Sequence, residues 1–129
     1  MPATEVCFYR EINGDIPVRD WLADLMKRDR TAFSKCAAAI RRLAAFGYEL
    51  RRPQVDMLRD GIYELRVKKG HVNYRILYFF HGRNVVVLAN ALTKERTVPD
   101  IEIERAISRR NAYQQDPTAH RATEEFRDA

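Results

Sequence analysis

Eight side chains between Arg66 and Arg96 carry the chemistry that this sequence offers. Arg66, Lys68 and Lys69 precede the turn residue Gly70, and His71 follows it. Arg75 and Tyr78 stand within the run VNYRILYFF, while Lys94 and Arg96 close the run VVVLANALTKER. A guanidinium is a planar fork that fits a phosphate bidentately, an ammonium is a point charge, and an aromatic ring is a platform for an unstacked base. That combination suits single-stranded RNA. Cations fixed around one phosphodiester would also stabilise the negative charge that develops when a neighbouring 2′-hydroxyl attacks the phosphorus. Such a reaction leaves a cyclic phosphate and a 5′-hydroxyl, and it needs no metal. His71 and Tyr78 are the candidates for proton transfer on chemistry alone, ahead of Tyr74, which belongs with the core face.

The stretch that must position these groups runs from Gly61 to Lys94. Its β-branched and aromatic runs are separated by Lys69-Gly70 and His81-Gly82, the pattern of a three-stranded antiparallel meander. In the first run Tyr63, Leu65 and Val67 alternate with Glu64, Arg66 and Lys68, giving one apolar and one charged face. The other two runs are apolar on both faces, so both sides need cover. Arg75 falls on the same face as Asn73, Leu77 and Phe79.

Upstream, VCFYR centres a strand over residues 5–10, followed by a turn at Asn13-Gly14. Pro17 suits a first helical position, and Val18, Trp21, Leu22, Leu25 and Met26 recur as one buried helical stripe. After a break near Asp29, Phe33, Cys36, Ile40 and Leu43 keep helical spacing up to Gly47, predicting a helical hairpin. Residues 48–60 have no clean period and contain Pro53, which predicts a loop. A last helix begins near Pro99-Asp100, with Ile103, Ala106, Ile107 and Tyr113 inward and Glu102, Glu104, Arg105 and Arg109 facing water. The expected organisation is one domain over residues 1–116 and a polar, flexible tail over 117–129.

Composition narrows the function classes. The 129 residues are 46% hydrophobic with a net charge of +5, enough for a single self-sufficient core. Residues 51–96 hold ten Lys/Arg against four Asp/Glu, so the positive excess is local to the meander and favours a polyanion. No apolar run approaches the ~20 residues of a membrane span and no signal-peptide core opens the chain, so a cytoplasmic location is expected. Cys7 and Cys36 read as buried free thiols. The three histidines are scattered, there is no Cys-x-x-Cys, no phosphate-binding glycine loop and no nucleophile elbow; no cofactor is expected.

The order strand, two helices, meander, helix, with YELR, VNYRILYF, VVVLANAL ending in TKER, and VPDIEIERA, resembles the RelE/HigB superfamily of bacterial toxins over residues 6–113. The closest likeness is to the phage-derived HigB-like branch. The resemblance implies an α+β, RelE-like fold: a twisted, mainly antiparallel sheet packed on a helical hairpin, with a C-terminal helix. It also implies a type II toxin that cuts mRNA on the ribosome, held inactive by a co-encoded helix-turn-helix antitoxin. Residue by residue, Arg66 would bind phosphate, Arg75 would contact the scissile phosphate, and Lys94 and Arg96 would stabilise the transition state or protonate the leaving oxygen. Lys68 and Lys69 would extend the RNA contact. Glu64 stands where the founding branch has a lysine, which weakens RNA binding there or offers a carboxylate base. The His/Asp pattern near the C-terminus of another HigB branch has no counterpart, so the general base stays open.

Blander readings compete with each of these. Lys68, Lys69 and His71 also suit a solvated hairpin tip, and edge lysines discourage aggregation. Arg75 must be paired or face a groove, and an ion pair with Glu64 would satisfy it. At the level of the whole protein, a gyrase-poisoning toxin of the ParE branch and a non-catalytic antitoxin-binding remnant are the alternatives.

Overall fold

A computed structural model describes residues 4–93 and 96–125. The chain runs β1 (Glu5–Tyr9), α1 (Pro17–Arg28), α2 (Arg30–Phe46), a 3₁₀ turn (Gly47–Glu49), β2 (Val55–Arg59), β3 (Ile62–Lys69), β4 (Val72–His81) and β5 (Val85–Thr93). It ends with α3 (Asp100–Gln115), α4 (Pro117–His120) and β6 (Arg121–Glu125). These form one six-stranded sheet in the order β2-β3-β4-β5-β1-β6, mainly antiparallel, with β1 parallel to β5. The architecture is α+β and RelE-like.

Local chemistry accounts for the elements. Pro17 opens α1, where its missing N–H costs nothing. The Asp29 carboxylate accepts from the Ala32 N–H at 3.1 Å and caps α2, so the break between the helices is a capping residue. Gly47 ends α2 at φ 51°, a conformation that favours glycine. The hairpin packs on one sheet face, where Val18, Leu22, Leu25, Cys36, Ile40 and Leu43 meet Leu65, Ile76, Tyr78 and Leu88 in one buried cluster. Helix α3 covers part of the other face, burying Ile103, Ala106 and Tyr113 against Ile62, Leu77, Phe79 and Val87. A bulge at β5, where Leu77 faces Asn90 and Tyr78 faces Leu88, turns both Ala89 and Asn90 toward α3; Asn90 donates to Glu102 there.

Several expectations are corrected. The segment 48–60 is not all loop: β2 pairs with β3 through a tight turn at Asp60-Gly61, both at positive φ (53° and 79°). Residues 117–125 do not lie loose, because α4 returns the chain so that β6 pairs antiparallel to β1. His120 stacks on Tyr9 with ring centroids 5.3 Å apart, and its Nδ1 donates to the Arg10 carbonyl, which fastens that return. Met26 lies outside the buried stripe of α1. Arg109 does not face water either: it donates to the Ala89 carbonyl and to Glu11, and lies over the Tyr9 ring. Among the described residues no helix is long and apolar enough to cross a membrane.

Candidate nucleic-acid interface

The part of the sheet that α3 leaves open lies toward the Gly70 turn, and there the face changes from apolar to charged. Period-two alternation puts Glu64, Arg66 and Lys68 of β3 on the face shared by Asn73, Arg75 and Leu77 of β4. Register then sets Arg66 directly opposite Arg75 and Glu64 opposite Asp56 of β2. Like charges facing each other across strands repel, so each pair needs the other. The diagonal contacts supply that. Glu64 accepts from Arg66 Nε at 2.7 Å through Oε1 and from Arg75 Nη1 at 2.9 Å through Oε2. Asp56 accepts from Arg66 Nη2 at 3.1 Å and from Arg52 Nη2 at 2.9 Å.

Exposure rises outward along this network. The Glu64 side chain is 2% exposed, Arg75 12%, Arg66 40% and Arg52 75%. Glu64 is therefore not on a half-exposed charged face, as its alternation with Tyr63 and Leu65 suggested, but beneath the guanidiniums. Arg75 also donates through Nη2 to the Arg96 carbonyl at 2.5 Å, which ties the segment after β5 to the sheet. Arg66 and Arg75 of this network line a cleft of about 340 Å³, bounded also by Pro53, Gln54, Val67, Lys68, Asn73 and Tyr74.

Of the residues singled out from sequence, Arg66, Lys68 and Arg75 line this cleft, and Arg96 joins it through its backbone while its side chain is exposed. Lys68 makes no ion pair among the described residues. Lys69 is separated from them: it turns to the hairpin side and pairs with Asp29 at 2.6 Å, holding that carboxyl below the usual carboxylate range. His71 is exposed in the turn, outside the residues that bound the cleft. Tyr78 is corrected outright. It is 1% exposed on the hairpin face, among Tyr63 and Phe80, and burial pushes its hydroxyl well above the ordinary tyrosine value. It can neither stack on RNA nor take a proton near neutral pH. Lys94 lies outside the described residues.

Residues 20–111 match the family of phage-derived, Gp49-like proteins. The chain belongs to that family. It is part of the RelE/ParE-like toxin superfamily, and the matched span reaches from α1 into α3, so every residue of the cleft lies inside it. No curated protein matches the chain. In this Gp49-like chain a second, larger concavity of about 580 Å³ lies on the hairpin side beside the β2 edge. It is bounded by Tyr48, Leu50, Met57, Tyr63 and Phe80, with Tyr48 stacked on Phe80 at 3.8 Å. Its walls are largely aromatic and aliphatic, but Arg51, Arg52 and Asp56 also line it, so the outer end of the arginine network reaches its rim.

Arg52 and Asp56 do not stand out in the sequence, because residues 48–60 have no clean period and Arg52 lies in the turn before β2. The Asp60-Gly61 dipeptide, the residue pair that type I′ hairpin turns require, was the available signal for β2. Among the described residues no group of three or more His, Cys, Asp or Glu could hold a metal ion.

Proposed function

We propose that this protein is the toxin of a type II toxin–antitoxin pair, of the HigB-like branch, and that it cuts mRNA on the ribosome. The observation that carries the reading is the placement of Arg66 and Arg75 side by side over an open cleft, on a face whose remaining apolar surface α3 already covers. Two guanidiniums that face each other across adjacent strands and line one cleft suit one phosphodiester, and Lys68 suits its neighbour along the strand. Attack by the 2′-hydroxyl would then proceed against a field of fixed cations, with Arg75 at the scissile phosphate and Arg96 and Lys94 toward the leaving oxygen. Removal of Tyr78 leaves His71 as the exposed candidate for the base. The working location is the cytoplasm, and the partner that restrains the toxin is a helix-turn-helix antitoxin.

The test is induction of the protein in growing bacteria, with transcript ends mapped across the message pool. Cuts within translated frames that disappear when ribosomes are stripped from the message support the reading. Growth arrest with intact messages and relaxed DNA failing to be supercoiled would assign the protein to the gyrase-poisoning class instead. Neither arrest nor cuts from folded protein would leave an antitoxin-binding remnant.

A further inference from the structure

Glu64 is the most buried ionisable side chain of the arginine network, and it occupies the centre of it. Each of its oxygens holds a different guanidinium, one from its own strand and one from the strand beside it. Arg66 and Arg75 would otherwise repel across the β3–β4 pair and adopt separate rotamers. We propose that Glu64 is a positioning residue for RNA: its buried carboxylate, behind the two arginines that line the cleft, fixes both guanidiniums in the orientation in which they receive a phosphodiester. The inference rests on the RNA-cutting reading above and concerns how that same site is built.

Two physical effects of Glu64 oppose each other, and they give opposite signs. As a charge, it lowers the positive potential of the cleft, so neutralising it would strengthen RNA binding through the long-range field. As a scaffold, it holds the two guanidiniums in place, so removing it would release both to several rotamers and weaken binding. The geometry favours the second. The carboxylate is 2% exposed and lies under the arginines, with both oxygens engaged. Arg66, by contrast, is 40% exposed, and its Nη1 has no partner among the described residues. Incoming phosphate meets the arginines, not the carboxylate. Asp56 repeats the arrangement one strand outward, holding Arg66 and Arg52.

The test uses a short 2′-O-methyl RNA oligonucleotide, which cannot be cut by attack of the 2′-oxygen, and reads its affinity by fluorescence anisotropy. It compares the wild type with Glu64→Gln and Glu64→Asp. Loss of one charge-assisted contact corresponds to about tenfold in affinity, and Glu64→Gln is expected to weaken binding by at least that factor despite adding a net positive charge. Glu64→Asp keeps the charge but is a methylene too short to span both arginines, and its affinity should fall between the two. In the wild type the Arg66 Nε–H should give a sharp nitrogen-15 signal protected from exchange, and Glu64→Gln should lose that protection. Equal or tighter binding by folded Glu64→Gln overturns the inference while leaving RNA cutting intact. Should Glu64→Gln fail to fold, unchanged affinity in folded Glu64→Asp overturns it as well. A wild-type protein that shows the protected Nε–H yet binds no RNA overturns the inference and reduces Glu64 to a structural ion pair, while ribosome-dependent cutting is decided separately by the mapped transcript ends.

Discussion

The α3-side face of the sheet has two ends built on the same strands and solved differently. At one end Ile62, Leu77, Phe79 and Val87 are sealed under Ile103, Ala106 and Tyr113. At the other, beginning two residues away along β3 and β4, the same face carries Glu64, Arg66 and Arg75, and the two arginines line an open cleft. The closed end needs no partner, because burial of apolar surface is satisfied within the chain. The open end is held by charge-assisted hydrogen bonds, whose outer donors are still accessible at Arg66. A protein that only had to fold would gain by continuing the apolar face. The change from one solution to the other within a single strand is what the proposed RNA site rests on.

That contrast can be broken most heavily at the closed end. Phe79→Ala should cost about 4 kcal/mol of stability in urea unfolding, by loss of transfer energy and creation of a cavity under Tyr113. A loss below about 1 kcal/mol would mean that α3 does not seal this end. At the open end the effect should depend on depth. Arg75→Ala leaves the buried Glu64 with one charged partner and should cost about 3 kcal/mol, whereas Arg66→Ala, at 40% exposure, should cost about 1 kcal/mol. Equal costs would contradict the ordering by burial. The smallest effect is at high pH. Burial and the neighbouring Glu11 push the Tyr9 hydroxyl up to about 12, so the folded state keeps a proton that the unfolded state loses from pH 10 onward. Stability contributed by neutral Tyr9 is complete below pH 10 and is lost as the pH rises through 12. Tyr9→Phe should therefore lose less of its neutral-pH stability at pH 11 than the wild type does, measured by urea titration alongside tyrosinate absorbance.

Much of this was written in periodicity. The helical stripes of α1 and α2, the meander, and the opening of α3 at Pro99-Asp100 all follow from spacing and caps that act within a few residues. The association of Arg66, Lys68 and Arg75 was also legible, since alternation along β3 and β4 assigns them to one face. What alternation does not give is depth. Glu64 reads as surface by its neighbours, and only the pairing of β2 on one side with β4 on the other encloses it. Tyr78 reads as a strand tyrosine with an available ring, yet the hairpin side of the sheet is filled by α1 and α2. The tail looked solvated because its residues bury little; its attachment is instead backbone pairing of β6 to β1 and the His120–Tyr9 stack, neither of which leaves a hydrophobic period.

The central claim is that the open end of this face cuts RNA, and depth decides how to test it. Each arginine pairs with one oxygen of Glu64, but Arg75 is 12% exposed and Arg66 40%, so Arg75→Ala confounds chemistry with folding more than Arg66→Ala does. The decisive measurement is cleavage of a defined message on purified, programmed ribosomes by wild-type protein and by Arg66→Ala of verified fold, with the cut ends mapped. The account predicts cuts in the decoding site bearing a cyclic phosphate and a 5′-hydroxyl, reduced at least tenfold by the variant. Cleavage unaffected by Arg66→Ala, or no cleavage by folded wild-type protein free of any antitoxin, would contradict it.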